Sequence, residues 1–516
     1  MGRQKRFAPR HAPRASISEI GAVVKRGKGL IKAALVYPNT YRAGMSSLGF
    51  QTVYRLINQL PKVACERVFL PDPKTAARGD RIPRSIESGL RLDRFDLVFF
   101  SISFENDFDH LVRLLGEAGI PLRSLDRNHI HPLVVAGGVA CFLNPEPIAP
   151  FIDLFLLGEA ECLITPFFDV CLDLPDKKDL LDAIEARVPG AYAPGRHQDG
   201  KPFQIKVQYL SKLDDITTHS AILTEGTAFK DTFLIEILKG CPHGCRFCSA
   251  GFIYRPPRAY SYKNLIRSME AARGKSRKIG LVSSAVTDHP DLVALCDHAT
   301  QAGFKLSFSS LRADRLNETI TQAVSGSGVK TATIAPEAGS ERMRRIINKN
   351  LDETDILSAV RQIVKSGIIN LKLYFMVGLP FETDDDANAI GALTLKIKKV
   401  FLAESQKQKK IGTITLSINP FIPKPATPFQ WAAMSGDAVL KHRVKLIRNA
   451  LKTTANVRIN VESLRKARIH ALLSLADRNA ADLIEAAAQK GWASVIKTNA
   501  AYCKAMIATE KDVLSA

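Results

Sequence analysis

The first third of the chain alternates short apolar runs with stretches of helical spacing. The strand-like runs are residues 32–37, 65–70, 96–103, 132–136 and 151–157. Residues 47–60 and 108–118 place their apolar side chains at helical intervals, and Gly119 ends the second of these helices. Alternating strands and helices predict a parallel, doubly wound sheet, whose ligands bind beyond the carboxyl ends of the strands.

A second α/β array extends from residue 231 to residue 431. Its six strand candidates are residues 233–238, 279–283, 305–309, 331–334, 371–376 and 413–418. Helical patterns lie between these strands. Residues 432–516 are rich in alanine and leucine, which favours helix.

These patterns divide the chain into five segments. Residues 1–29 are polar and basic and are predicted to be a flexible tail. Residues 30–185 form an α/β domain with a Rossmann-like parallel sheet, and residues 186–230 form a linker. Residues 231–431 are the second α/β domain, and residues 432–516 are a helical C-terminal region.

Composition sets the cellular context. Hydrophobic residues make up 46% of the 516, as in ordinary globular proteins. No apolar run approaches the roughly 20 residues that a membrane span needs, so we expect no transmembrane segment. Apart from one triplet the nine cysteines are scattered, which is typical of a reducing compartment and predicts a cytoplasmic protein.

The formal net charge of +21 suggests an anionic partner. Nucleic acid, an anionic membrane surface and a phosphorylated metabolite all fit such a charge. The alternative is a basic surface without a specific partner. Both interpretations stay open from the sequence.

Three cysteines carry the clearest chemical pattern. Cys241, Cys245 and Cys248 have the spacing C-x3-C-x2-C and directly follow the apolar run 233–238. Three thiolates fix three irons of a 4Fe–4S cluster, and because no fourth cysteine lies nearby, one iron would stay open. A zinc site is the alternative, with His243 as a fourth ligand.

This motif, with the aromatic Phe247 before its last cysteine, resembles that of the radical S-adenosylmethionine (SAM) superfamily in full. The resemblance implies a partial (β/α)6 barrel and a 4Fe–4S cluster whose open iron binds the amino and carboxylate groups of SAM. It also implies a low-potential electron donor and reductive cleavage of SAM to a 5′-deoxyadenosyl radical.

In barrel enzymes, functional residues follow the strands. The candidate cofactor-binding residues here are Ser283, Ser284, Ser309, Arg312, Glu337, Arg342 and Gly378. The two serines at 283 and 284 stand where many relatives have a Gly-Gly-Glu-like stretch that meets the SAM amino group. The resemblance makes Glu337 a ribose contact, Arg342 a partner of the SAM carboxylate and Gly378 part of an adenine-contacting turn. Arg312 has a structural alternative, an ion pair with Asp314.

Residues 417–431 contain four prolines and three aromatic side chains, so they cannot form a helix or a central strand. They are predicted to form a rigid loop over the barrel mouth. A lid that excludes water and a packed structural crossover are both compatible with this composition.

Three phrases resemble a narrower bacterial family, the cobalamin-binding-domain radical SAM proteins. They are residues 251–258, 335–342 and 421–431. The resemblance implies that the first domain binds cobalamin. Where such domains often carry D-x-H-x-x-G, this chain has Asn39, Tyr41 and Gly44 at the corresponding positions, so cobalt would have no histidine ligand.

The candidate cobalamin-binding residues are Asn39, Tyr41, Gly44, Ser101, Ser103, Gly137 and Gly138. A degenerate Rossmann-like domain without a cofactor is the alternative.

The leading functional hypothesis is a SAM- and cobalamin-dependent methyltransferase acting on an unactivated carbon of an unknown substrate. A methylthiotransferase-like RNA-modifying enzyme is a second hypothesis, suggested by the basic charge, but it needs a second cluster on cysteines of the first domain. A non-catalytic RNA-binding scaffold with a vestigial cluster is the third.

Overall fold

The computed structural model describes residues 18–71, 81–174, 179–197, 204–308 and 311–508. They fold as two units, and the chain passes between the units several times. The first unit comprises Met1–Ser211, Thr218–Thr232 and Ala476–Ala500. The second comprises Lys212–Thr217, Phe233–Leu475 and Ala501–Ala516.

Most strands of the first unit are buried on both faces, which explains their continuous apolar sequences. They are β1 (Glu19–Ile20), β2 (Ile31–Tyr37), β3 (Val63–Phe69), β4 (Leu97–Ser101), β5 (Leu133–Gly137), β6 (Leu154–Leu156), β7 (Ala191–Tyr192) and β8 (Leu223–Thr224). Six of them form a sheet in the order β3-β2-β4-β5-β6-β7, parallel except for β7. β1 and β8 form a separate antiparallel pair.

The helices of this unit are Tyr41–Met45, Leu48–Gln59, Phe108–Ala118, Val139–Leu143, Ala160–Asp173, Leu180–Arg187, Ala481–Lys490 and Trp492–Thr498. Ser47 caps one of them, since its hydroxyl accepts a hydrogen bond from the N–H of Phe50. Gly119 ends another in the left-handed conformation, as its position in the sequence predicts.

A buried ionic network ties the start of the chain to the sheet. Arg67 contacts Glu19 and Glu87, each at 2.7 Å, and all three side chains are buried. Burial alone would lower the pKa of Arg67, but the carboxylates of Glu87 and Glu19 outweigh that effect and raise it. The predicted tail 1–29 therefore needs correction, because Glu19 and Ile20 form a strand; residues 1–17 lie outside the described residues.

The segment Ala476–Ala500 also belongs to the first unit, although it lies in the region predicted as a separate helical C-terminus. Arg478 contacts Glu146 at 2.5 Å, and Arg123 contacts Glu485 at 2.7 Å. The side-chain amide of Asn144 donates to the carbonyl of Ala476 at 2.7 Å.

The second unit contains β9 (Thr232–Glu236), β10 (Leu238–Lys239), β11 (Arg258–Ala259), β12 (Lys278–Val282), β13 (Lys305–Phe308), β14 (Thr331–Glu337), β15 (Asn370–Val377), β16 (Ile414–Pro420) and β17 (Val457–Val461). One sheet has the order β9-β12-β13, and another has the order β14-β15-β16-β17 with parallel pairing throughout. The six strand candidates of the sequence coincide with β9, β12, β13, β14, β15 and β16.

β17 corrects the prediction that residues 432–516 are helical throughout. It extends the second sheet by pairing with β16, and its apolar side chains at Val457, Ile459 and Val461 alternate with exposed Arg458 and Asn460. That period of two is the pattern of a strand with one covered face. The composition-based prediction missed it because leucine and alanine dominate the flanking helices.

The helices of the second unit are Tyr262–Ala272, Leu292–Gln301, Glu318–Gly326, Glu341–Ile346, Glu353–Lys365, Asp384–Lys407, Asp437–Leu451 and Leu464–Leu475, with Ala500–Ala508 beginning at the boundary. Capping boxes at Asp352 and Thr383 fix the starts of two of them. Within the described ranges, no helix is long and apolar enough to cross a membrane.

We expect the substitution Arg67→Met to destabilise the first unit by about 3–5 kcal/mol, because it leaves two buried carboxylates without their cation. Urea unfolding followed by circular dichroism measures the loss. The matched control is Arg91→Ala, which breaks an exposed pair with Asp93 and should cost at most about 1 kcal/mol. Equal effects of the two substitutions would contradict the importance of the buried network.

Candidate metal centre

The three cysteines lie on a loop whose two ends are held together. β10 precedes the loop and β11 follows it, and the two strands pair antiparallel. Gly240 has a φ of 79°, and a Cβ there would lie 2.4 Å from the carbonyl oxygen of Tyr254. A Cβ on Gly251 would lie 2.2 Å from the carbonyl oxygen of His243. Glycine at both positions therefore lets the loop fold closely upon itself.

Two distant segments clamp the middle of this loop. The N–H of Arg246 donates to the carbonyl of Ile347 at 3.0 Å, and the side-chain amide of Asn348 donates to the carbonyl of Gly244 at 2.8 Å. From the other segment, the N–H of Phe429 donates to the carbonyl of Arg246 at 3.1 Å. The backbone of the cysteine loop is thus fixed by long-range hydrogen bonds.

Apolar packing supports the same clamp. Phe247 packs against a core cluster made of Ala338, Met343, Ile347, Leu379, Phe421 and Phe429. The proline-rich segment 417–431 contributes two of these rings, and they meet edge to face. The prediction that 417–431 form no central strand is wrong for residues 417–420, which belong to β16 between β15 and β17. The remainder packs on the cysteine loop, and this contact agrees with the structural crossover that the sequence left open beside the lid.

The cysteine thiols lie in a mostly buried, electrostatically coupled group. Burial raises the pKa of each thiol, that of Cys245 to about 11. The cations of Lys349 and Arg312 act in the opposite direction on Cys245. Backbone N–H groups also donate to sulfur and lower the thiol pKa, as His243 does for Cys241.

A carboxylate at the end of β14 faces the same thiols. Glu337 contacts Lys349 at 3.4 Å, and its charge raises the pKa of Cys248. Burial raises the pKa of Glu337 itself. The residue has a φ of 68° at a register shift of the strand, a conformation uncommon for a side chain with a Cβ. Such strained residues concentrate at functional sites.

His243 does not join the thiols as a fourth ligand. Its Nε2 lies 3.0 Å from Asp288 Oδ1, while the second oxygen of this buried carboxylate has no partner among the described residues. This geometry disfavours the zinc alternative, which requires four converging ligands.

The donor set instead fits a group that spreads its bonds over several irons. Three sulfurs and N–H···S hydrogen bonds are the environment that such clusters have in proteins, and no fourth cysteine is in the loop. Cys241, Cys245 and Cys248 would hold the cluster. Glu337, Lys349 and Arg312 would lie around it.

The other strand-end residues of the second unit differ in their placement. Ser283 accepts a hydrogen bond from the N–H of Ala285, and Ser284 is exposed. Arg312 contacts Asp314 at 2.8 Å, as in the ion-pair alternative. It also donates to the carbonyl of Lys349, so the same side chain lies near the thiols. Ser309 lies outside the described residues.

Arg342 makes contacts of its own within the fold, and its role beside a cofactor stays a prediction. Its guanidinium already binds the carboxylate of Asp386 and donates to the carbonyl of Phe381 at 2.8 Å. Gly378, by contrast, has a φ of 79° and donates its N–H to Glu382, which Arg443 contacts at 2.6 Å. This turn is held from within the fold, since the carbonyl of Gly378 also accepts a hydrogen bond from the hydroxyl of Ser435 at 3.3 Å.

In the first unit, five candidates lie at the carboxyl ends of strands. Ser101 and Gly137 are register partners at the ends of β4 and β5. Gly138 has a φ of 106°, and a Cβ there would lie 2.4 Å from the carbonyl oxygen of Ile102. Ser103 hydrogen-bonds to Tyr37, and the side-chain amide of Asn39 donates to Asp107 at 2.8 Å.

Tyr41 and Gly44 are corrections, because both face the interior. The phenol of Tyr41 is buried and donates to Glu19 of the ionic network. Burial and the neighbouring carboxylate of Glu19 raise the pKa of Tyr41. A Cβ on Gly44 would lie 2.4 Å from the ring of Phe69, so glycine permits the helix Tyr41–Met45 to pack closely on the sheet. Both residues are explained by packing.

The scattered cysteines do not form a second ligand set in the described chain. Cys65, Cys141 and Cys171 are buried at separate places, and burial raises the pKa of each thiol. The first unit does contain a cavity of about 840 Å³ near the end of β2. Its lining is mostly apolar, with Thr40, Arg113 and Glu117 among the polar residues.

Sequence reasoning missed two members of the site. Lys349 follows the short helix Glu341–Ile346 and reaches back to the thiols. Asp288 follows β12 by six residues. The sequence does show that both are charged residues in the segments that follow strands. Their positions relative to the thiols, however, depend on how the intervening turns fold.

The cation of Lys349 gives a testable thiol property. In metal-free protein at about pH 8, we expect Lys349→Met to slow alkylation of Cys245 by about two- to tenfold, because losing the cation raises the thiol pKa and lowers the thiolate fraction. Anaerobic iodoacetamide labelling with peptide mass spectrometry measures the rate. Lys399→Met, an exposed lysine on a distant helix face, is the control; an unchanged rate in the Lys349 variant would refute the coupling.

Comparison with known proteins agrees with this geometry. Residues 49–194 match the family described as radical SAM proteins, N-terminal, and residues 235–394 match the radical SAM superfamily. The Methanocaldococcus jannaschii protein described as "Uncharacterized protein MJ0966" is 34% identical over 456 residues, which are 88% of this chain and 90% of that protein.

Two solved structures share the fold. The radical SAM methyltransferase TsrM from Kitasatospora setae has a TM-score of 0.55 at 12% identity, covering 92% of this chain and 99% of TsrM. The cobalamin-dependent radical SAM enzyme OxsB, with aqua-cobalamin and SAM bound, has a TM-score of 0.51 at 13% identity, covering 91% of this chain and 67% of OxsB. Identities this low establish the fold alone. Together with the family matches and the cysteine loop, they lead to one conclusion: the chain belongs to the radical SAM superfamily, in the same family as MJ0966.

Proposed function

We propose that this protein is a radical SAM enzyme, with a 4Fe–4S cluster held by Cys241, Cys245 and Cys248. The observation that carries the proposal is the electrostatic interaction of the cysteine thiols with one another and with Glu337, Lys349 and Arg312 after the strands. When bound, a cluster with one open iron binds SAM and supplies the electron for its reductive cleavage.

The residues around the thiols have distinct roles in this proposal. Glu337 presents a carboxylate that can accept hydrogen bonds from ribose hydroxyls. Lys349 and Arg312 stabilise negative charge on the sulfurs, since both already lower the thiol pKa of Cys245. Phe247 and its apolar neighbours exclude water from the back of the cysteine loop. The substrate stays unknown.

We further propose that the first unit binds cobalamin and that the reaction is methyl transfer to an unactivated carbon. The strand-end row of Asn39, Ser101, Ser103 and the Gly137–Gly138 turn supports this, as does the fold shared with OxsB. Tyr41 is committed to Glu19, so cobalt would have neither a histidine nor a tyrosine ligand from this segment.

We expect anaerobically purified protein, expressed with cobalamin, to contain about four irons and one corrinoid per chain. With a strong reductant it should convert SAM to 5′-deoxyadenosine. Iron, sulfide and corrinoid assays and chromatography of the nucleoside products measure these outcomes. Cys245→Ser should lose iron and SAM cleavage, whereas Cys162→Ser, outside the loop, should retain both.

Each other outcome has a defined meaning. About eight irons per chain would favour the methylthiotransferase-like enzyme. Four irons without corrinoid would remove the cobalamin and methyl-transfer proposals. Iron without SAM cleavage under any reductant would exclude a radical SAM activity and leave the scaffold hypothesis.

A further inference from the structure

The amino ends of the parallel strands in the second unit carry exposed cations. Chain direction places these ends opposite the cysteine loop, which follows the carboxyl end of β9. Six basic side chains, here called the basic rim, lie at the strand starts or in the connections that lead into them, up to five residues earlier: Arg277, Lys278, Lys305, Lys330, Lys365 and Lys410. All six are exposed.

Backbone pairing makes the first part of the rim continuous. Lys278 and Lys305 are direct register partners on β12 and β13. Adjacent strands lie about 4.8 Å apart, so these two like charges are neighbours. The N–H of Lys305 also donates to the carbonyl of Arg277 at 2.8 Å.

Hydrogen bonds between turns extend the rim. The N–H of Asn370 donates to the carbonyl of Lys330 at 3.0 Å, and the side-chain amide of Gln408 donates to the carbonyl of Lys365 at 2.8 Å. Leu306, next to Lys305, donates its N–H to the hydroxyl of Ser327 at 2.5 Å. The turns that carry the cations are therefore joined to one another.

The charge of the rim is not neutralised within the fold. None of the six side chains makes an ion pair in the described part of the chain. The nearby acids are already engaged: Glu270 pairs with Arg273, and Glu404 pairs with Lys407. Like charges on directly opposite strand positions are destabilising, so the fold gains nothing from placing Lys278 beside Lys305. Lys365 differs, because it lies in the last turn of the helix Glu353–Lys365, where a cation is favourable.

The location of the rim excludes the cysteine-loop site as its explanation. β12, which begins at Lys278, spans five residues, about 16 Å at the usual rise per residue. The rim therefore lies about that far from the strand ends where the thiols are found. A partner bound there would not contact the proposed active site directly.

The composition of the rim favours a phosphate backbone over a protein or a membrane. Among the described residues of these turns, Ile411 is the one large apolar side chain that is exposed, at 58%. Protein interfaces need an apolar core, and membrane-surface binding needs several apolar side chains beside the cations. Binding through phosphate contacts needs neither.

Duplex RNA fits the rim better than the other nucleic acids. Single-stranded binders use exposed aromatic side chains for stacking, and none is exposed on these turns. The rim also has no exposed helix to enter the major groove of DNA. Duplex RNA is recognised mostly by its shape and by contacts to its phosphates and 2′-hydroxyls, and exposed cation pairs such as Lys278 and Lys305 can supply the phosphate contacts. We propose that the basic rim binds the phosphate backbone of duplex RNA.

The test uses the full-length protein and a fluorescent RNA duplex of about 16 base pairs. Anisotropy titrations between about 50 and 200 mM salt give the affinity and its salt dependence. We expect the double variant K278E/K305E to bind at least about tenfold more weakly and to lose about two units of salt slope. The control K28E/K62E makes the same charge change on exposed lysines of the first unit and should bind as the unchanged protein does.

Several results would overturn the proposal. One is an equal loss of RNA affinity in both double variants, and another is unchanged RNA affinity in K278E/K305E. A third is equal or tighter binding of duplex DNA or single-stranded RNA. A fourth is rim-dependent binding of anionic vesicles or polyglutamate without binding of RNA. Thermal unfolding checks the fold of both variants; because K278E/K305E replaces one exposed like-charge contact by another, its melting temperature should stay close to that of the unchanged protein. SAM cleavage measured without RNA should be unchanged, so failure of this proposal is distinguishable from failure of the proposed enzyme activity.

Discussion

The cysteine loop depends on hydrogen bonds to other segments, because no helix or strand fixes its backbone between Cys241 and Cys248. Ile347 and Asn348 hold it from one side and Phe429 from the other. The turn that provides two of these contacts also carries Lys349, whose cation lowers the thiol pKa of Cys245. The same turn thus positions the cysteine loop and places a positive charge beside its thiols. A movement of this turn would change both the position of the loop and the thiol pKa.

Much of the fold could be predicted because buried parallel strands are continuous apolar runs, and because the helices between them have clear periodicity. The cysteine spacing and Glu337 after a strand could also be predicted, since they depend on local sequence. The pairing of Arg342 could not be predicted, because its partner Asp386 lies 44 residues away. The inward orientation of Tyr41 could not be predicted for a similar reason, because its partner Glu19 belongs to a segment whose composition resembles a tail.

The two units treat charge in different ways. In the first unit a single guanidinium satisfies two carboxylates inside the core, and removing water from all three is tolerated because each has its partner. In the second unit many cations remain in water at the amino ends of strands. Water screens them, so the sheet tolerates neighbours of like sign that would be prohibitive if buried. The overall excess of positive charge therefore says little about the core and much about the surface.

The return of Ala476–Ala500 to the first unit has a consequence for biosynthesis. Proteins emerge from the ribosome N-terminal end first, and domains usually fold as their residues become available. Here the first unit lacks the contacts of Arg478 with Glu146 and of Glu485 with Arg123 until nearly the whole polypeptide has been translated. In the second unit, by contrast, the cysteine loop and both segments that clamp it have been synthesised once residue 429 has been added. The cysteine loop can therefore be clamped before the first unit has received its last segment, Ala476–Ala500.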